Sequence, residues 1–426
     1  MTYLGPQTIL KKKEQFLLPC SYHFYQDPPQ LVRGSMQYLY DQTGKEYLDF
    51  FAGVSVMNCG HSNPEILTTT INQMKNLQHT TTIYLTEPIV SLGQRLAAYL
   101  PGDLRKSFFC MSGSEANEGA LLLAKKTTGR RGLIGLKGGL SGRTHLTMSL
   151  TGIPMWRTMD DPSPNTYLAE GYGKEPGETT SDAMERSLDS IRCLLEAHPN
   201  EIAALICEPI QGNGGIQVPH IRYFKRLKTL LEKFGALLII DEVQTGYGRT
   251  GKNFAIEHFN VVPDILTSAK ALGNGVPIAA FSTTDKIAAT FTSPSASTLG
   301  GNPVSAANSL AVLAYLESHQ LKERAANLGK LLLEKLTKMK GKYPLIKDVR
   351  GIGLMVGVEL QNSDGRPATE AVDRILERMK NAGFLIGKNG IHRNTLAFQP
   401  PLVLSKRNVL DMIEALDQAI KEECVE

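Results

Sequence analysis

The chain has no Cys-x-x-Cys pair. Its six cysteines (Cys20, Cys59, Cys110, Cys193, Cys207 and Cys424) are scattered. Neither a metal site nor a disulfide framework is therefore expected. Cys110 and Cys207 fall in apolar runs, where cysteine is usually a small buried hydrophobe. Long apolar runs are also missing. None approaches the roughly 18 residues needed to cross a bilayer, and the first residues lack the apolar core of a secretory leader. A formal net charge of +4 over 426 residues is mild. Lys11-Lys12-Lys13 is too short for more than a solvated turn, and no basic tract alternates with aromatics. No internal repeat is visible. These absences point to a reduced, cytoplasmic-type protein without nucleic-acid or membrane partners. What is present in quantity is apolar residue, 42% of the chain. That suffices for a large core and two domains.

Short apolar runs alternate with helical patterns through the middle. Ser107–Met111, Leu133–Leu136, Ala203–Cys207 and Ala236–Ile240 read as strands buried on both faces. Tyr223, Leu227, Leu230, Leu231 and Phe234 recur at helical spacing between the last two. This alternation predicts an α/β protein with a mostly parallel sheet flanked by helices. From about Ile153 to Thr180, prolines and glycines break the pattern, and a long surface excursion is expected. Beyond Asn302 a long helix over Val304–Leu336 is expected, then a strand over Ile352–Leu360 and a helix over Ala368–Ala382. A hairpin is expected around Asp41-Gln42-Thr43-Gly44. The expected division is a large α/β domain over 61–315 and a smaller α+β domain from 1–60 and 316–426.

Three motifs carry chemistry. Ser112-Gly113-Ser114-Glu115-Ala116-Asn117-Glu118 follows a strand and opens a helix. Free N–H groups at a helix start suit an anion such as a cofactor phosphate on Gly113 and Ser114. An ordinary helix capped by Ser112 is the plain alternative. Asp241 ends an apolar strand, where open α/β sheets place their sites; it could equally be a turn residue. Lys270 stands in the small, uncharged setting Thr267-Ser268-Ala269-Lys270-Ala271. A lysine for a Schiff base and an acid facing a pyridine nitrogen are what pyridoxal phosphate requires. Gln244 follows Asp241 closely enough to reach the phenolic oxygen of that ring. Gly246-Tyr247-Gly248-Arg249-Thr250-Gly251 matches a dinucleotide fingerprint, but the strand has already ended at Asp241 and no long amphipathic helix follows. Gly139-Leu140-Ser141-Gly142-Arg143 lacks the last glycine of a hydrolase elbow.

Over nearly its whole length the sequence resembles the class III (subgroup II) aminotransferases, pyridoxal phosphate enzymes of fold type I. Tyr47-Leu48-Asp49-Phe50-Phe51-Ala52-Gly53, Gly60-His61, the Ser-Gly-Ser-Glu-Ala-Asn loop, Glu208-Pro209-Ile210-Gln211-Gly212, Asp241-Glu242-Val243-Gln244, Ala269-Lys270 and Thr298-Leu299-Gly300-Gly301-Asn302-Pro303 stand in the family's order. Gly273-Asn274-Gly275 and Gly387-Lys388-Asn389-Gly390 are most similar to the branch of alanine–glyoxylate and β-amino acid transaminases. That branch also holds phospholyases and ammonia lyases. The resemblance implies that Lys270 forms the Schiff base and moves the proton. It implies that Asp241 pairs with the pyridine nitrogen, Gln244 with the phenolic oxygen, and Ser112, Gly113 and Ser114 with the phosphate. Thr298 would reach the phosphate of a neighbouring subunit, so a homodimer with shared sites is implied.

Three positions depart from the family. Where an aromatic residue and His usually precede Gly-Arg-Thr, the chain has Leu140-Ser141. Leu140 can cover the ring by dispersion but brings no aromatic stacking. Where an Arg usually grips the substrate carboxylate and pairs with the Glu of the Glu208 motif, the chain has Ala397. An alanine makes no bidentate clamp. Arg143 or His392-Arg393 is expected to take over the charge role beside Glu208, or to bind an anionic tail of the substrate; an ordinary loop cation is the alternative for Arg143. The expected function is transfer of an amino group from a small amine or ω-amino acid to a keto acid. A lyase expelling a β-substituent from an amine carrying phosphate or phosphonate is the second reading, and a catalytically silent binding protein the third.

Overall fold

In the computed structural model, residues 3–425 are described. The centre is a seven-stranded sheet in the order β4-β10-β9-β8-β7-β5-β6. Its members are β4 (Lys106–Cys110), β5 (Gly132–Leu136), β6 (Thr166–Ala169), β7 (Ile202–Cys207), β8 (Leu237–Asp241), β9 (Ile265–Ser268) and β10 (Ala279–Thr283). Only β10 is antiparallel to its neighbours β4 and β9. The other six strands run in one direction, so their carboxyl ends share one edge. β5 and β7 are buried at every residue, as strands covered on both faces must be. Helices Gly113–Thr128 and Tyr223–Phe234 cover the sheet, the second burying Tyr223, Phe224, Leu227 and Leu231.

Two smaller sheets surround this core. β1 (Leu31–Ser35), β2 (Tyr38–Asp41) and β3 (Glu46–Asp49) form a meander whose β3 pairs in parallel with β13 (Phe384–Leu385). β11 (Ile346–Ile352), β12 (Met355–Leu360), β15 (Thr395–Phe398) and β14 (Gly387–Asn389) form the other, in that order. No helix among the described residues is long and apolar enough to cross a membrane.

Several expectations need correction. The excursion at 153–180 is not structureless, because β6 inside it forms the edge of the central sheet. β6 is short and only its last residue is buried, so it carries no continuous apolar run. The long helix after Asn302 is two helices, Pro303–Ser318 and Leu321–Lys342. Gln320 adopts φ 49°, and this left-handed residue turns the chain between them. The strand at Ile352–Leu360 is the second half of a hairpin, with Gly353 at φ 59° in its turn. A side chain at 353 would collide with the Thr250 backbone.

One local conformation is unusual. Ala52, Gly53, Val54 and Ser55 have φ of 50°, 59°, 69° and 59°. Four successive left-handed residues are costly for L-amino acids, most of all for β-branched Val54. Asp49 braces the entry to this turn by accepting hydrogen bonds from the Phe51 and Ala52 amides and meeting His61 Nε2 at 2.7 Å.

Candidate active site

A cavity of about 380 Å³ lies at the shared carboxyl edge of the central sheet, the position where open α/β sheets hold their ligands. Five of the strands each deliver a wall: Ser112 after β4, Leu140 after β5, Glu208 after β7, Asp241 at the end of β8 and Lys270 after β9. Volume and lining suit a ligand of cofactor size.

The helix Gly113–Thr128 starts at one side of this cavity. Ser112 caps it, its Oγ accepting from the Glu115 amide at 3.2 Å. The amides of Gly113 and Ser114 have no acceptor among the described residues and stand at the positive end of a sixteen-residue helix. A side chain at Gly113 would strike Val243 at 2.9 Å. Glycine thus lets that wall close while its amide stays open. These are the features an anionic phosphate needs. Ser112 serves as the plain helix cap here, while Gly113 and Ser114 carry the free donors.

Asp241 is buried opposite. Its Oδ2 accepts from Asn117 Nδ2 at 2.7 Å, and Oδ1 accepts from the Val243 amide at 2.9 Å. Asn117 is oriented in turn: Thr267 Oγ1 donates to its Oδ1 at 2.6 Å, and its Nδ2 also reaches Ser141 O. Burial pushes the Asp241 carboxyl upward, against the opposing effects of Asn117, the Val243 amide and the charge of Lys270.

Lys270 adopts φ 45°, a strained conformation for a residue with a Cβ and one that concentrates at working sites. Burial pushes its ammonium downward, with Asp241 and Glu208 pulling the other way. A larger neutral fraction makes the amine a better nucleophile. Glu208 is raised to about 8, first by burial and then by Asp241.

The partner expected for Glu208 is not an arginine. Its two oxygens accept from the Leu140 amide at 2.9 Å and the Gly212 amide at 3.0 Å. The place of the absent clamp is filled by packing: Ala397 lies in an apolar cluster with Ile210, Ile216 and Met355. Arg393 does not line the cavity. Its guanidinium stacks 5.2 Å from the Phe24 ring and meets Tyr22 Oη at 3.4 Å. Its turn touches the site indirectly, since the Gly390 amide donates to Asn213 O and Asn213 lines the cavity. Arg143 lies one residue beyond the lining residue Gly142, its amide donating to Ser114 Oγ at 3.1 Å. Thr298 is exposed and outside the cavity of its own chain.

Leu140 and Gln244 do line it. So do Val56, Ser141, Asn213 and Gly275–Ile278, which carried no expected role. Asn117 had a readable signal. It stands four residues after Gly113 on one helix, hence on the same face. Val56 and Asn213 had none in residue type, although each follows closely on a family motif, Asn213 directly after Glu208–Gly212 and Val56 three residues after Gly53.

The class-III aminotransferase family model matches residues 25–420. The mitochondrial alanine–glyoxylate aminotransferase 2 homolog 2 of Arabidopsis thaliana is 42% identical over 99% of this chain and 89% of its own. A Bacillus anthracis aminotransferase structure superposes with TM-score 0.92 at 30% identity, covering 99% of this chain and all of that one. The ornithine aminotransferase of Toxoplasma gondii, with pyridoxal phosphate at partial occupancy in its active site, gives TM-score 0.87 at 28% identity over 99% and 96% of the two chains. These relatives favour amino transfer over the lyase reading. The likeness runs through both the sequence and the backbone, and it includes every strand end that walls the cavity. The chain therefore belongs to the class-III aminotransferases, which work with pyridoxal phosphate.

Proposed function

We propose that this aminotransferase takes its amino group from a small amine or ω-amino acid and passes it to a keto acid, with Lys270 as the catalytic base. The observation that carries this is the strained Lys270, its ammonium pushed downward by burial, sharing one cavity with Asp241 and Glu208. Pyridoxal phosphate supplies the electron sink that makes a proton on the amine carbon removable. Lys270 Nζ would hold the cofactor at rest and would accept the proton from the amine carbon. Asp241 faces the pyridine nitrogen. Alone and buried it is raised, but a cation opposite favours its ionised form. Gly113 and Ser114 would hold the phosphate, Leu140 would cover the ring, and Gln244 would meet the phenolic oxygen.

The packed Ala397 supports a donor that is not gripped by an α-carboxylate. Arg143, at the cavity edge, is the cation we assign to an anionic tail of the substrate; Arg393, outside the cavity, is the second candidate. A homodimer is also proposed, with Thr298 reaching the phosphate of the other subunit. Its exposure supports this, as does an apolar stripe of Leu67, Ile71 and Met74 along helix Pro64–Asn76. The division into 61–315 and the two flanking segments, and a reducing, cytoplasmic location, belong to the same reading; three exposed cysteines without partners agree with the latter.

The test is spectroscopic. Donor amine added without keto acid should bleach the visible band of the loaded enzyme and stop after one turnover. Continued release of ammonia under those conditions would overturn amino transfer. Lys270→Ala should lose both the band and turnover, and a variant that keeps its activity removes Lys270 from the chemistry.

A further inference from the structure

The cavity is short of positive charge. Among the described residues, its charged lining side chains are Glu208, Asp241 and Lys270, two acids to one base. Pyridoxal phosphate, when bound, would engage two of them, Lys270 through its aldehyde carbon and Asp241 through its ring nitrogen. Glu208 is then left with no partner of opposite charge. No arginine answers it, since Ala397 packs with Ile210, Ile216 and Met355 instead. An unanswered buried charge is costly.

The Glu208 carboxylate is held in place. Tyr172 Oη donates to the Glu208 main-chain oxygen at 2.7 Å. The Leu140 and Gly212 amides donate to Oε1 and Oε2. A carboxylate has about four acceptor sites, two on each oxygen, and each oxygen here has used one. Both donors are main-chain groups, which cannot swing away as a side chain can. The acceptor is thus preorganised before any ligand arrives. Only 6% exposed, it is shielded from bulk water, and a hydrogen bond to it is strengthened by that shielding.

The chemistry that completes this site is a cation with N–H donors. A carboxylate at the depth of Glu208 would meet like charge, and Arg143, beyond the lining residues, serves only a tail that reaches the edge. A primary ammonium brings three donors and the opposite charge. Burial raises the Glu208 carboxyl to about 8, and an ammonium beside it favours the ionised form.

We propose that Glu208 binds a second ammonium group of the donor, so that the preferred donor is a short diamine. This rests on the reading that the chain takes its amino group from a small amine. One amine reacts: its carbon becomes an aldehyde and the keto acid becomes an amino acid. The other amine stays unchanged on Glu208 and positions the first at Lys270.

The test compares 1,4-diaminobutane, n-butylamine and 4-aminobutanoate as donors to one keto acid, in the wild type, Glu208→Gln and Glu208→Asp. Glu208→Met is the second neutral variant, should Glu208→Gln fail to melt cooperatively. In the wild type, kcat/KM for the diamine should exceed that for n-butylamine by about tenfold or more, the worth of one charge-assisted hydrogen bond. The neutral variant should bring that ratio close to one, chiefly by raising KM for the diamine. Glu208→Asp, which keeps the charge, should retain part of the preference. If n-butylamine or 4-aminobutanoate matches the diamine in the wild type, or the ratio survives in the neutral variant, Glu208 only tethers the two turns and the proposal is overturned, while amino transfer stands. If none of the three donors bleaches the visible band of the loaded wild type, the amine-donor reading fails and the proposal falls with it.

Discussion

At the scale of single residues, Glu208 makes the sharpest pH prediction. Its carboxyl is raised from 4.5 to about 8, chiefly by burial. A carboxyl that holds its proton more firmly folded than unfolded stabilises fully below its unfolded value, and that contribution is lost as pH rises through the folded one. Glu208→Gln carries no such dependence. Melting of the cofactor-free protein should therefore show the variant gaining on the wild type as pH climbs from about 4.5 to about 8; parallel curves would mean the carboxyl is ionised throughout. Arg143→Ala should raise KM for a donor with an anionic tail, with little change for an uncharged amine. Equal effects on both donors would remove Arg143 from substrate recognition. Lys270, Asp241 and the Gly113-Ser114 pair were legible in the sequence because their chemistry demands particular residue types beside strand ends. Glu208 was legible as a residue but not by its partners. Its ligands are the Leu140 and Gly212 amides, and main-chain donors leave no trace in residue type.

At the scale of elements, the buried strands declared themselves and the turns did not. β5, β7 and β8 are runs rich in Leu, Ile and Ala, which fit strands covered on both faces. The break between Pro303–Ser318 and Leu321–Lys342 was missed because apolar periodicity runs on across it, while the turn depends on one residue's φ. Gln320 holds that left-handed turn with no side-chain bond at the cap. Gln320→Gly should therefore stabilise by about 0.5–1 kcal/mol, the strain relieved less the entropy that glycine adds to the unfolded chain. A fall in Tm would show that the Gln320 side chain contributes more than its backbone costs. β6 escaped notice for the opposite reason: an edge strand needs little apolar residue, so composition could not reveal it.

At the scale of the whole molecule, the family pattern was readable almost end to end, while the proposed homodimer draws its support from exposed surface. Leu67, Ile71 and Met74 follow helical spacing on one exposed face, and Ile83, Tyr84 and Leu85 are exposed nearby in sequence. An apolar stripe of this kind marks an interaction surface. On the proposed homodimer, Ile71→Lys combined with Leu85→Lys should give a sedimenting monomer with looser cofactor retention, the loss expected if Thr298 of one chain serves the site of the other. A variant that stays dimeric moves the interface elsewhere. The long-range links inside the chain also set a timetable. β3 finds its outer neighbour only in Phe384–Leu385, the Phe50 carbonyl waits for the Gln399 amide, and buried Arg249 bonds Asn58, Leu354 and Pro400 at once. A ribosome adding about 5–20 residues per second delivers Phe384 roughly 15–70 s after Asp49. For that interval the nascent chain carries an open strand edge beside an unfinished site, so its vulnerability to aggregation is set by the speed of translation as much as by the stability of the finished fold.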